Sequence, residues 1–236
     1  MRFGMMKTVG IIGVAALGLL SFLVYELLTA ADPDHWESEV VAFERRDVSN
    51  PPPQGAILFV GGRDIRYWET LESDLAPLTV VGRGLGGVQL HQLTYYAARI
   101  IKPYQPAAVM VMAGGEDLAD VHGRRPEDVL ADFKVLVSAL RAHGVEAPIY
   151  FISIKPSPMR ASRWLGVKRA NALIEAYCRE NDRLHYIDVA SGMFDEAGEI
   201  RGELFRWDGL TLNAEGYRQL AAMLRPVLVS RFGARQ

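Results

Sequence analysis

The chain has 236 residues, of which 50% are hydrophobic and 23% are charged, and its formal net charge is −2. This length suits one globular domain with an additional segment. The balanced charge, without a basic stripe, argues against nucleic acid as a partner. The single cysteine, Cys178, cannot form an internal disulfide, so it carries no information about the redox compartment and is expected to be a small core residue.

The amino-terminal segment is predicted to be a membrane anchor. Residues 8–25 contain no charged side chain, and a run of this length can span a bilayer as a helix. A cleaved signal peptide is the alternative, but no clean A-x-A cleavage site follows the run. We therefore expect an uncleaved single-pass anchor over residues 1–31.

The charges beside this segment predict its orientation. Arg2 and Lys7 precede it, whereas four acidic residues follow it between positions 32 and 39. The positive-inside bias then keeps the amino terminus in the cytoplasm and places the large domain on the periplasmic side of the inner membrane. The expected partners are the lipid bilayer and integral membrane proteins, which the helix and the soluble domain would both contact.

Small residues in the predicted anchor suit close packing against another membrane helix. The candidates for such contacts are Gly10, Gly13 and Gly18. Small residues are also common in membrane helices that have no such contact, so both interpretations stay open.

The remaining chain is predicted to have a three-layer, doubly wound α/β fold with a five-stranded parallel sheet. Short apolar runs alternate there with longer amphipathic ones, which is typical of a parallel sheet covered on both faces. A short helix over residues 35–47 and a proline-rich linker occupy residues 32–54, and the main domain follows over residues 55–236. Strands are predicted at residues 56–60, 78–81, 107–112, 148–154 and 185–189. Helices are predicted at residues 64–75, 88–101, 126–143, 161–181 and 213–232.

Turns rich in glycine and charged residues follow several of these strands. In an open α/β sheet, turns at the carboxyl ends of strands carry ligands and catalytic groups. The turns occupy residues 61–64 (GGRD), 82–87 (GRGLGG), 113–117 (AGGED) and 208–213 (DGLTLN). We expect all four to converge at one edge of the sheet.

In their order and spacing, these turns resemble the sequence blocks of the SGNH/GDSL hydrolase family, which includes GDSL-like lipases and acylhydrolases. ILFVGGRDIRYW at residues 57–68 resembles the first block, and GRGLGG and AGGED resemble the second and third. DGLTLNAEGY at residues 208–217 resembles the fifth, and FISIKPSPMR at residues 151–160 is typical of one bacterial branch. The resemblance runs from about Trp36 to the last helix, and it implies the flavodoxin-like SGNH hydrolase fold.

The resemblance also implies a chemistry that this chain carries only in part. In the family, a serine attacks an ester, a histidine oriented by an aspartate takes its proton, and N–H groups with an asparagine stabilise the oxyanion. The matching positions here are, in chain order, Arg63 for the nucleophile, Gly87 and Glu116 for the oxyanion hole, Asp208 for the orienting aspartate and Thr211 for the base.

Three of these five positions have the wrong chemistry for hydrolysis. The guanidinium of Arg63 is not a nucleophile, and Glu116 brings a negative charge to a place where one must be stabilised. Thr211 cannot accept a proton near neutral pH. The resemblance therefore implies a degenerate, non-catalytic site with no cofactor and no metal.

The substitutions predict a new set of contacts in the old site. Arg63 and Glu116 are expected to form an ion pair, shared with Asp208, since a partly buried arginine needs such a partner. A rewired catalytic site stays open as an alternative, with a metal set of Glu116, Asp117 and Asp208 as one version. Other nearby candidate groups are Asp64, His91 and His122.

Functions of different classes follow from this interpretation. The first is a structural or accessory subunit of an integral membrane complex, which could be respiratory, photosynthetic or involved in envelope assembly. The alternatives are an envelope esterase or acyl-ester hydrolase with an altered site, and a module that binds a glycan or an acyl chain. Trp68, Trp164 and Trp207 are interpreted as packing residues. Residues 155–158 are interpreted as a rigid loop that could also bind a ligand.

Overall fold

The structure is a computed structural model that describes residues 32–120 and 122–233. The predicted membrane anchor, residues 1–31, lies outside the described residues. Within those ranges, no helix is long and apolar enough to cross a membrane. The chain divides into two units between Ser38 and Glu39. The described part of the first begins with a 3-10 turn at Pro33–Trp36, and the second contains the sheet.

A single five-stranded parallel sheet forms the centre of the second unit. Its strands are β1 (Ile57–Gly61), β2 (Val80–Gly84), β3 (Ala108–Met112), β4 (Ile149–Ile152) and β5 (Leu184–Ile187). They lie in the order β2-β1-β3-β4-β5, and every neighbouring pair is parallel. The predicted parallel α/β sheet is thereby confirmed. The chain order reverses between β1 and β3, which is where open sheets of this kind bind ligands.

The helices are α1 (Glu37–Ser49), α2 (Arg63–Arg66), α3 (Leu71–Asp74), α4 (Leu90–Ile100), α5 (Pro126–Ala142), α6 (Trp164–Arg179) and α7 (Ala214–Phe232). Helices α2 to α7 cover the two faces of the sheet. On one face, α2, α3 and α7 share a core with β1 and β3 that includes Phe59, Met110 and Leu224. On the other face, α4, α5 and α6 pack side by side, and Phe133 of α5 contacts Phe151 of β4 with ring centroids 4.8 Å apart.

The prediction of one continuous helix over residues 64–75 is wrong, because α2 and α3 are separate short helices. Between them, Trp68 turns inward, where its ring stacks on Tyr217 at 5.4 Å and its indole N–H donates to Asp74 at 2.7 Å. Burial of this large ring in the core therefore outweighs continuation of the helix.

Strand β2 continues further than predicted, through residues 82–84 of the predicted turn. Gly82 pairs with Phe59 and Gly84 with Gly61 across the ladder. A Cβ at Gly84 would lie 2.1 Å from the backbone nitrogen of Arg66, so this position requires glycine. The glycines therefore let helix α2 approach the edge of the sheet.

Candidate functional site

The turns after β1, β2 and β3 meet at the carboxyl edge of the sheet, as predicted. The Gly62 N–H donates to Met112 O at 3.1 Å, and the Leu85 N–H donates to Gly61 O at 2.9 Å. Gly61 has φ +152°, and a Cβ there would lie 2.0 Å from Met112 O. The close approach of these two backbones therefore excludes every residue except glycine.

A cleft of about 70 Å³ opens beside these turns. Apolar residues such as Met112, Ile154 and Trp164 form part of its wall. The charged side chains that line it are Arg63, Asp64, Glu116, Lys155, Arg160 and Arg163. Ser157 also lines the cleft, but no histidine does so among the residues that the structure describes. The lining of the cleft therefore combines several charged side chains with apolar ones.

Glu116 has two arginine neighbours at different distances. Arg160 Nη2 donates to Glu116 Oε2 at 2.8 Å, and Arg160 Nη1 donates to Gly115 O at 3.0 Å. Arg63 Nη2 lies 3.9 Å from Glu116 Oε1, which is within ion-pair range but too long for a hydrogen bond. The predicted Arg63–Glu116 pair thus exists only at the outer limit. Arg160 is the residue that sequence reasoning missed, although it ends the FISIKPSPMR stretch.

Asp208 does not share the ion pair of Arg63, contrary to the prediction. The Thr211 hydroxyl donates to Asp208 Oδ2 at 2.7 Å, and the N–H groups of Leu210 and Thr211 donate to Oδ1 at 2.9 Å each. Burial raises the pKa of Asp208, but these hydrogen bonds and the charge of Arg63 outweigh it and lower the pKa to about 2. In the family, the carboxylate at this position orients a histidine. Here, Asp208 instead accepts hydrogen bonds from residues of its own loop.

Lys155 brings a further charge into the cleft. Its Nζ donates to Leu210 O at 2.8 Å and lies 3.5 Å from Asp64 Oδ1 and 4.9 Å from the centre of the Phe205 ring. Burial raises the pKa of Asp64, and the charge of Lys155 opposes that rise. Asp64, a candidate for a rewired site, therefore lies within ion-pair range of Lys155, although its buried Oδ1 accepts no hydrogen bond from the described residues.

The other groups considered for a rewired site lie away from the cleft lining. Asp117 is fully buried and accepts a hydrogen bond from the Leu90 N–H at 3.2 Å. It groups with His91 and Asp132, with one potential ligand atom of each within 4.8 Å of the others, rather than with Glu116 and Asp208. His122 contacts the Gln89 side chain at 3.2 Å. The conceivable metal set of Glu116, Asp117 and Asp208 is therefore not assembled.

The three tryptophans have different environments. Trp68 is buried, which confirms its packing role, and Trp164 lines the cleft with its ring 4.9 Å from that of Phe194. Trp207 is 98% exposed, so its interpretation as a packing residue is wrong. The Gly209 N–H donates to Arg206 O at 2.9 Å, which makes Trp207 a central residue of a tight turn.

Comparisons with known proteins agree with this architecture. The sequence model of the GDSL-like Lipase/Acylhydrolase family matches residues 54–219. No curated protein matches the chain in sequence. A solved GDSL-like lipase from Bacteroides thetaiotaomicron superposes with a TM-score of 0.68 at 18% identity, covering 85% of this chain and 98% of that one.

Two further structures share the fold. A carbohydrate esterase of family 3 from Talaromyces cellulolyticus has a TM-score of 0.59 at 16% identity, with 77% of this chain and 100% of that chain covered. The OSK domain of Drosophila Oskar has a TM-score of 0.57 at 16% identity, with 75% and 91% covered. At these identities the likeness concerns the fold alone. The family match extends over most of the chain, and it shows that this protein belongs to the GDSL-like lipase/acylhydrolase family.

Proposed function

We propose that this protein is a non-hydrolytic member of its family and serves as an accessory subunit of an integral membrane complex. The observation that carries the proposal is the presence of Arg63 two residues after the end of β1, at the position of the family's nucleophile. A guanidinium is permanently protonated and cannot attack an ester carbonyl. Asp208 is engaged by Thr211 rather than by an imidazole, so a general base is also lacking at the matching position.

A group of exposed apolar side chains beside the cleft supports the proposal that this protein binds a partner protein. Met159, Leu165 and Trp207 are 66%, 81% and 98% exposed. The Met159 N–H donates to Gly209 O at 3.0 Å and so ties the segment of Met159 and Leu165 to the turn that carries Trp207. Large exposed apolar residues near one another are typical of contact surfaces. We propose that this surface and the predicted anchor bind an integral membrane protein of a respiratory, photosynthetic or envelope assembly.

Purification in mild detergent tests the accessory role. We expect the full chain to co-purify with a stoichiometric membrane protein, and the triple variant M159S/L165S/W207S to lose most of it. V135S is a matched control, since Val135 is an exposed apolar residue on helix α5. A wild-type chain that purifies alone as a clean monomer would contradict the proposal.

Ester hydrolysis tests the non-catalytic part separately. We expect the wild type to show no turnover of p-nitrophenyl acetate above buffer. The variant R63S/E116N/T211H, which regains nucleophile, oxyanion donor and base beside Asp208 and Gly87, is expected to gain measurable turnover. Wild-type turnover that is lost on substitution of Arg63, Ser157 or Asp208 would favour the alternative, an esterase with a rewired site.

A further inference from the structure

One imidazole and two carboxylates come together outside the lining of the cleft, where the proposed function makes no use of them. They belong to His91 in the first turn of α4, Asp117 in the turn after β3 and Asp132 on α5. One potential ligand atom of each lies within 4.8 Å of the other two. Three separate segments of the chain therefore bring side chains that commonly bind metals to one point.

Asp117 is a buried carboxylate with few hydrogen-bond donors around it. Its two oxygens accept from the single N–H of Leu90, at 3.2 and 3.3 Å, and from its own backbone N–H. In the part of the chain that the structure describes, no side-chain donor is hydrogen-bonded to this carboxylate. Buried carboxylates are costly unless they are paired with a cation or coordinate a metal. The bonding of Asp117 within the protein is therefore incomplete.

The guanidinium of Arg124 contacts this cluster but binds only Asp132. Its Nη2 donates to one oxygen of Asp132, which leaves the other oxygen of that carboxylate without a bond to Arg124. With a neutral imidazole at His91, two carboxylates and one guanidinium give the cluster a net negative charge. A divalent cation close to both carboxylates would balance that charge.

The residue types and the distances suit a transition metal. Zinc is bound by histidine nitrogens and by aspartate oxygens at about 2.0–2.2 Å, so two ligand atoms on one ion are at most about 4.4 Å apart. The separations in the cluster are within 4.8 Å, so side-chain movements of a few tenths of an ångström would place all three on one ion. His91 and Asp132 are half-buried, which leaves the cluster accessible from solvent.

We propose that His91, Asp117 and Asp132 bind a divalent transition-metal ion such as Zn²⁺, with solvent completing its coordination. The ion would connect α4 and α5 to the turn after β3 and so stabilise the folded domain. An imidazole ligand favours Zn²⁺ over Mg²⁺ and Ca²⁺, which prefer oxygen ligands. The inference is independent of the proposed function, because none of the three residues lines the cleft.

Zinc titration of the detergent-solubilised full chain, first treated with EDTA and dialysed, tests the proposal by calorimetry and elemental analysis. We expect saturable, equimolar binding to the wild type and a higher thermal unfolding midpoint with the ion. H91Q and D132N should each bind at least about tenfold more weakly, because each lacks one ligand. H91Q keeps the Arg124–Asp132 pair, so its loss of affinity would not come from breaking that pair. Circular dichroism verifies that both variants are folded.

H122Q is the matched control for these variants. His122 contacts the Gln89 side chain at 3.2 Å and is not one of the three clustered residues, so its substitution should leave zinc affinity unchanged. Mg²⁺ and Ca²⁺ are expected not to displace the bound zinc. Absent saturable binding, equal affinity in wild type and H91Q, or an equal loss in H122Q and H91Q would overturn the inference. Weak uptake that no variant changes would indicate an adventitious ion only and would also overturn it.

Discussion

The guanidinium of Arg160 donates a hydrogen bond to Glu116 at 2.8 Å, whereas that of Arg63 remains 3.9 Å from the other carboxylate oxygen. Glu116 is thus bound mainly by Arg160, in the loop after β4, rather than by Arg63, in the turn after β1. One carboxylate cannot serve both arginines equally well in this geometry. The consequence is a cleft in which Glu116 is neutralised and Arg63 keeps donors available.

The two contacts of Glu116 should differ in strength in double-mutant cycles. We expect a coupling energy of about 1 kcal/mol or more for Glu116 with Arg160, because the pair is hydrogen-bonded and partly buried. For Glu116 with Arg63, we expect less than about 0.5 kcal/mol, because the pair is longer and more exposed. Chemical denaturation of E116Q, R160Q, R63Q and the two double variants gives both values. A larger coupling to Arg63 would contradict the assigned pairing.

The buried Arg83 predicts a costly substitution outside the cleft. Arg83 donates to the Tyr104 hydroxyl at 2.7 Å and pairs with Asp47 at 2.5 Å, and its side chain is only 8% exposed. Asp47→Asn leaves that charge without its counterion, so we expect a loss of about 2–4 kcal/mol in the free energy of unfolding. Glu44→Gln is the control, because the Glu44–Arg99 pair is more exposed, and it should cost less than about 1 kcal/mol. Similar losses in both variants would refute the role of burial.

Asp117 should make stability fall as the pH rises through mildly acidic values. Burial raises its pKa from 3.8 to about 6, so the folded state binds this proton more tightly than the unfolded state. The contribution is fully present below about pH 4 and is lost as the pH rises through about 6. In D117N this dependence disappears, while the amide oxygen can still accept from the Leu90 N–H. Unfolding free energies of both proteins at pH 4, 5, 6 and 7 measure the difference, and parallel curves would contradict it.

Asp208 should show the opposite dependence, at lower pH. Although burial raises its pKa, the hydrogen bonds from Thr211 and Leu210 lower it to about 2. Its stabilising contribution is therefore present above about pH 4 and is lost as the pH falls towards 2. Thr211→Val removes the hydroxyl donor, so the pKa of Asp208 should rise, as measured by the carboxyl carbon shift in NMR.

Thr94→Val is the matched control for that titration. The Thr94 hydroxyl donates to Leu90 O at 2.9 Å within helix α4, so its removal should leave the titration of Asp208 unchanged. An Asp208 titration that is identical in T211V and wild type would show that the hydroxyl does not stabilise the carboxylate.

Several features were predictable because they follow from local pattern. Apolar runs such as residues 57–60 and 108–112 are fully buried strands, and the glycine turns after β1, β2 and β3 meet because parallel strands end at the same edge. The local pattern led to a wrong prediction at residues 64–75. The amphipathic spacing there suits one helix, but the helix is interrupted where Trp68 packs into the core against Tyr217. The pattern failed again at Trp207, since composition does not reveal that a residue stands at the outer corner of a turn.

The sequence by itself determined the α/β architecture and the replacement of the nucleophile, oxyanion and base positions by Arg63, Glu116 and Thr211. Only the tertiary structure decided which charges pair. Arg160 and Glu116 are 44 positions apart in the chain, and Lys155 and Leu210 are 55 apart. Such contacts depend on where loops from different strands direct their side chains at the shared edge. Hydrogen-bond and ion-pair energies change over a few tenths of an ångström, and the order of residues does not specify distances at that scale.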